Sequence, residues 1–382
     1  MSMSALSEII LYFDPVEPLA VRGDDRILSS LHEQISIHES NGAAPNLTDA
    51  RILFAGTGEP DRANRIREWL YGLSAIPSLG IIADLGNLRN GKNPADTRIG
   101  LSQVITEAGK AQKIIILLGS STHDIPALCQ AYDRLEIPYN LTVIDPVIDI
   151  MPQKEASRSH YLNGLISDPD TRLFDFVHLA YQGYLSDPGS FDRLDELFFE
   201  HFRLGALRGD LREAEPVFRN SDILGFSLSS IRQTEAPGVL NPSANGLTAE
   251  EACQLSRYAG LSDKLSLLSL SEFEPSRDLH GQTAGLAAQI LWFFLQGISQ
   301  RKNDYPFSDI TAYQKYIVDI PNSGFQLTFL KSPSSNRWWV EVPFPGAPSR
   351  RSLYVACSYK DYQMASDGEI PDRWFNNYRK LG

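Results

Sequence analysis

The chain has 382 residues and a mass of 42.6 kDa, with 42% hydrophobic and 21% charged residues and 18 Phe, 15 Tyr and 5 Trp. That composition supports a sizeable core and excludes a disordered or collagen-like polymer; the length admits either several domains or one large α/β domain with an appendage. A net charge of −12 repels phosphate backbones and anionic headgroups, so nucleic acid and membrane surfaces are not expected partners.

The acidity is uneven. Residues 301–382 hold 11 Lys and Arg against 8 Asp and Glu, which leaves 24 against 39, a balance of −15, in the first 300 residues. Cys129, Cys253 and Cys357 show neither CxxC nor Cys/His spacing, which argues against a disulfide framework or structural zinc and for a reducing compartment. Residues 1–11 lack the basic and apolar regions of a signal peptide, and the longest apolar run, 284–298, is shorter than the roughly 20 residues of a membrane span, so a cytoplasmic location is expected.

Three segments are expected: a lead of residues 1–48, an α/β domain of 49–300 and a β-rich extension of 301–382. In the second, short apolar runs predict strands at Arg51–Ala55, Gly80–Ala83, Lys113–Leu118, Leu141–Ile144, Ser221–Leu228 and Leu265–Leu270. Between them, helical periodicity marks Asp61–Leu73, Asp96–Ala108, Ile125–Leu135, Ala249–Ala259 and Thr283–Gly297, the alternation of βαβ units around a parallel sheet. Thr248 and Glu251 form a capping-box pattern, and Gly260 is placed to end that helix. Gly56-Thr57-Gly58-Glu59-Pro60 lacks the third glycine of a dinucleotide fingerprint and reads as a turn and helix start, with Asp61 near the N-cap. Leu291–Leu295 reads as a buried helix. Beyond residue 300, Asp304-Tyr305-Pro306-Phe307, Phe325–Lys331, Arg337–Pro343 and Ser352–Cys357 read as strands, ending in Pro371–Phe375.

Ligands of open α/β sheets sit beyond the carboxyl ends of the strands. Four strand-end segments stand out: Gly119–Asp124, Asp145–Asp149, Gly225–Ser229 and Glu272–Pro275. Taken with Ala236-Pro237-Gly238, Asn245–Glu251 and Ser276-Arg277-Asp278, they make residues 50–300 resemble the ureohydrolase family of arginase, agmatinase and formimidoylglutamase. Asp84-Leu85-Gly86 and Asp96-Thr97 suit its formimidoylglutamase-like branch. The resemblance implies a three-layer arginase-like α/β fold with a mainly parallel sheet of about eight strands, plus the β-rich C-terminal appendage.

The family holds two manganese ions with a His after a Gly-Gly pair, an Asp-x-His-x-Asp segment and the two Asp of Ser-Phe-Asp-x-Asp; the metals turn a bridging water into hydroxide that attacks a guanidinium or amidine carbon. Here Asp145 and Asp149 remain, Val147 replaces the central histidine, and Ser227 and Ser229 replace both aspartates. His123 stands one residue further from Gly119 than the family spacing, with Thr122 at the ligand position. By the same resemblance, Glu272 is the carboxylate that grips the substrate's cation, with an ion pair to Arg277 as its structural alternative, and His160 stands about where a proton-shuttle histidine is placed.

Other features have simpler readings. Ser227 and Ser229 lack a Gly-x-Ser-x-Gly elbow, and Trp338-Trp339 and Trp374-Phe375 read as packing rather than as a recognition surface with Arg350-Arg351. Two functions stay open. In the first, a ureohydrolase-family protein without its dinuclear site, and with no cofactor expected, binds a small cationic molecule or a protein partner. In the second, an amidinohydrolase acts on formimidoylglutamate- or guanidino-type substrates with a rearranged site or a single metal on Asp145, Asp149 and His123. Assembly into homo-oligomers is compatible with either.

Overall fold

The computed structural model describes residues 3–24, 26–151, 160–306, 310–321, 323–345 and 352–382. Phe307 and Arg350-Arg351, noted above, lie outside the described residues. The main sheet is built from β1 (Phe13–Asp14), β2 (Ile35–Ile37), β3 (Ile52–Gly56), β4 (Ile82–Leu88), β5 (Ile114–Ser120), β6 (Tyr139–Ile144), β7 (Leu173–Tyr181), β8 (Glu200–Arg203), β9 (Ile223–Ser227) and β10 (Leu267–Ser271). Its order is β1-β4-β3-β5-β10-β9-β6-β7-β8, with β2 also on β4. Strands β3 to β10 are the parallel set that the resemblance implies; β1 pairs antiparallel and β2 parallel on the outer side of β4.

Side chains alternate along each strand, so one apolar run serves two cores. Ile114, Ile116 and Leu118 join the core under helices Pro60–Leu70, Ala249–Gly260 and Gln282–Ser299, whereas Ile115 and Leu117 join the core under Pro94–Lys110 and Ile125–Arg134. The result is three layers, helix on sheet on helix. The capping box on Ala249–Gly260 is formed: the Glu251 N–H donates to Thr248 Oγ1 (3.1 Å) and the Thr248 N–H to Glu251 Oε2 (2.8 Å). Gly260 is the last residue of the helix, as its placement suggested. A Cβ there would meet the Phe294 carbonyl oxygen at 2.1 Å, so the glycine permits close approach of Gln282–Ser299.

Helix Pro60–Leu70 starts one residue before the expected position, with Glu59 at its N-cap and Asp61 in its first turn. It also carries Arg67, whose guanidinium is fully buried. Arg67 donates to both Asp84 oxygens (2.9 and 2.8 Å), to Asn87 Oδ1 and to the Gly86 carbonyl, while Tyr71 Oη donates to Asp84. Asp84 therefore fastens β4 to this helix.

The C-terminal strands β11 (Gln314–Asp319), β12 (Gln326–Lys331), β13 (Trp338–Pro343) and β14 (Ser352–Cys357) form an antiparallel sheet in that order. Helices Tyr359–Ser366 and Asp372–Leu381 follow, so Pro371–Phe375 begins a helix instead of closing a β element. Trp338, Trp339 and Trp374 are buried in this part. Arg219, on helix Ala214–Asn220, joins it to the main sheet's layer: it donates to the carbonyls of Trp338 (3.0 Å) and Cys357 (2.9 Å) and its guanidinium lies 4.7 Å from the Trp339 ring centre.

Arg219→Ala would strand two buried carbonyls and open the cation–π contact. Chemical denaturation is expected to show a loss of about 3 kcal/mol, with faster proteolysis of residues 301–382; unchanged stability and cleavage would contradict this role.

Candidate functional site

Strands β5, β10, β9 and β6 are consecutive neighbours, and their parallel direction puts all four carboxyl ends on one edge of the sheet. The turns that leave them surround a cavity of about 990 Å³. Thr122 and His123 come from the β5 turn, Asp145, Val147 and Asp149 from the β6 turn, Ser229 from the turn after β9 and Glu272 from the end of β10; His160, Tyr161 and the 240–244 loop complete the lining.

Glu272 is the first residue past β10 and has φ of +68°, a strained value for a residue with a Cβ. Its N–H donates to the Ser120 carbonyl (3.1 Å), which locks the turn against β5. Its Oε1 accepts from the Thr122 N–H (2.9 Å), Thr122 Oγ1 (3.2 Å) and Ser121 Oγ (3.3 Å). The expected alternative partner, Arg277, is turned elsewhere: its Nη1 donates to the carbonyls of Leu240 (2.6 Å) and Val239 (3.4 Å). Glu272 is thus oriented by neutral donors.

Asp145 follows β6. Its Oδ1 accepts from the Val147 N–H (2.9 Å), a local turn that presents the carboxyl to the cavity, and its carbonyl oxygen accepts from His178 Nε2 (2.8 Å) on β7. Burial pushes His178 down to about 4, so the ring is neutral at physiological pH with its proton on Nε2; its Nδ1 is buried without a partner. Desolvation pushes the Asp145 carboxyl up to about 7, and the charges of Glu272 and Asp149 raise it further, against hydrogen bonds that lower it. Ser227, at the end of β9, lies close to Asp145, but its buried hydroxyl has no aligned hydrogen bond.

Asp149 is committed on both oxygens, to His160 Nδ1 (2.8 Å) and to the Tyr161 N–H (2.8 Å). Among the described residues no hydrogen bond uses His160 Nε2, and both residues line the cavity. His123 is exposed at the rim, and Thr122, at the family's ligand position, serves Glu272. The structure therefore gathers His123, Asp145, Asp149, Ser229 and Glu272 around one cavity, with Ser227 buried beside it. Sequence reasoning missed the grip of Thr122 on Glu272 and the His178 prop; a histidine inside an apolar strand was the one available signal for the latter.

The lining contains three carboxylates and neither lysine nor arginine among the described residues. Among those residues, no group of three or more His, Cys, Asp and Glu side chains is arranged to hold a metal ion.

A model of the arginase family matches residues 64–296. The chain belongs to the arginase family. Curated relatives of this arginase-family chain include formimidoylglutamase of Staphylococcus haemolyticus (strain JCSC1435), 23% identical over 59% of this chain and 76% of that protein. Formimidoylglutamase of Staphylococcus aureus (strain MSSA476) is 22% identical over 63% of this chain and 79% of that protein. Among solved structures, Trypanosoma cruzi formiminoglutamase with Mn2+ covers 68% of this chain and 97% of its own at 18% identity and a TM-score of 0.60. The formimidoylglutamase from Bacillus subtilis subsp. subtilis str. 168 covers 76% and 98% at 14% identity and a TM-score of 0.62. At such identities the structural likeness concerns the fold. No helix among the described residues is long and apolar enough to cross a membrane.

The raised Asp145 carboxyl has a consequence for stability. It keeps its proton in the folded state up to about pH 7 but loses it near 3.8 in the unfolded chain, so the folded state binds more protons between these values and stability falls as pH rises. In chelator-treated protein, the unfolding free energy of wild type relative to Asp145→Asn is expected to decline from pH 4 to pH 7 by at most about 1.4 kcal/mol per unit. A flat difference would contradict the assignment.

Proposed function

We propose that this arginase-family chain binds a small cation of the guanidinium or amidinium class in the cavity and does so without a dinuclear manganese site. The observation that carries this reading is the convergence of Asp145, Asp149 and Glu272 on one cavity whose described lining contains no basic side chain other than histidine. A planar cation fits such a site because it offers paired N–H donors to carboxylates. Glu272 has one oxygen engaged by neutral groups, which leaves its charge available, and Val143, Pro146 and Leu240 give an apolar surface for the rest of the molecule.

The donor chemistry argues against two manganese ions. The six ligand positions implied by the family hold Thr122 or His123, Asp145, Val147, Asp149, Ser227 and Ser229. Valine has no donor, serine hydroxyls are weak neutral ligands, and two carboxylates cannot balance two divalent ions as four do. Without metal, a water in the cavity keeps a pKa near the bulk value, about eight units above the metal-bound one, so the family's hydroxide chemistry has no counterpart in these residues.

A second reading, hydrolysis of a linear amidine C–N bond with one metal on Asp145, Asp149 and His123, is favoured by the presence of all three in the same cavity and by the formimidoylglutamase relatives. Calorimetric titration separates the two. Arginine or agmatine is expected to bind wild type saturably after chelator treatment and at least about tenfold more weakly to Glu272→Gln. Absence of binding would contradict the first reading. Ammonia, formamide or urea release that requires manganese and disappears in Asp145→Ala would establish the second.

A further inference from the structure

A second cleft, of about 590 Å³, opens beyond the carboxyl ends of β4, β3 and β5, where the segment after β4 and helix Pro94–Lys110 supply Lys92 and Arg98. The sheet order β4-β3-β5 makes this the point where the chain changes direction: from β3 it runs through helix Pro60–Leu70 to β4 on one side, and from β5 through helix Ile125–Arg134 toward β6 on the other. The two helices belong to opposite layers, so the turns after β3 and β5 diverge and leave a crevice, the place where doubly wound sheets receive ligands.

The β3 turn is Gly56-Thr57-Gly58-Glu59-Pro60, which leads directly into a helix of 11 residues. Gly58 has φ of +72° and faces the Gly119 carbonyl of the β5 turn, so the backbones approach as closely as glycine allows. Among the described residues no hydrogen bond uses the N–H of Gly58 or Glu59. The Thr57 hydroxyl, on a residue only 3% exposed that lines the cleft, is also without a partner. A buried polar group left unpaired is a cost that a ligand would remove.

The cleft has basic side chains that the described lining of the carboxylate cavity does not. Arg62, Lys92 and Arg98 line it, against Glu59 and Asp124. Asp124 accepts from the Ser121 N–H (3.0 Å). Arg98 donates Nε to the Pro94 carbonyl (3.2 Å) and forms no ion pair within 4 Å among the described residues, nor does Lys92; Arg62 makes only a 3.5 Å pair with Glu274.

We infer that this crevice is a binding site for a small phosphate-bearing molecule, held by Arg98, Lys92 and the free N–H groups of the Gly58 turn. It is separate from the carboxylate cavity but shares a wall with it. His123 lines both spaces, Ser121 and Asp124 face the crevice, and Ser121 and Thr122 hold Glu272 on the other side. The site stands whether or not the cavity takes a cation.

The test titrates the full chain with inorganic phosphate, and with acetate and chloride at matched ionic strength, by calorimetry and thermal shift. Saturable phosphate binding is expected, weakened about tenfold by Arg98→Ala and by Lys92→Ala. Arg98→Lys, which keeps the charge, should retain part of the affinity and reports on folding. No saturable phosphate binding, equal responses to all three anions, or wild-type affinity in both alanine variants would overturn the inference.

Discussion

Three carboxylates that line one cavity, with neither lysine nor arginine among its described lining residues, are the constraint on which the rest of the site depends. Parallel strand order imposes their proximity, because β5, β10, β9 and β6 all end on the same edge of the sheet. The charge is tolerated through neutral means. Glu272 is bound by a backbone N–H and two hydroxyls, Asp149 by a histidine and a backbone N–H, and Asp145 by a tight turn and partial retention of its proton near neutral pH. The positive φ of Glu272 and the buried His178 beneath Asp145 are local strains of the kind that persist where a surrounding scaffold over-determines a position.

Much of this was legible from residue order alone. Apolar runs marked β3, β5, β6, β9 and β10, because strands buried on both faces need apolar residues at every position, and residues just past β5, β6, β9 and β10 line the cavity. Strands β7 and β8 were missed for the opposite reason. Asp175 and His178 interrupt β7, and β8 reads Glu-His-Phe-Arg at the sheet's edge, where polar residues are acceptable. The helices Tyr359–Ser366 and Asp372–Leu381 are short and rich in aromatic residues, which favoured a β reading. The Asp149–His160 pair was not legible at all, since it joins residues eleven apart in the sequence with no motif between them. Arg277 was misplaced because sequence proximity to Glu272 says nothing about direction; the guanidinium instead satisfies two loop carbonyls.

The same β5 turn gives the molecule two faces of opposite charge. Toward β10 it supplies the donors that hold Glu272, and toward β3 it closes a crevice lined by arginine and lysine. The two spaces share the wall Ser121–Asp124. The buried Arg67–Asp84 pair steadies this arrangement from below, fixing the helix that follows the Gly58 turn to β4.

The central claim, that the cavity keeps its carboxylate character without the family's dinuclear metal cluster, is tested most directly by metal content. Protein grown and purified with manganese, then dialysed against metal-free buffer and measured by plasma mass spectrometry, should retain less than one ion per chain. Two retained manganese ions per chain would contradict the account, whatever the activity.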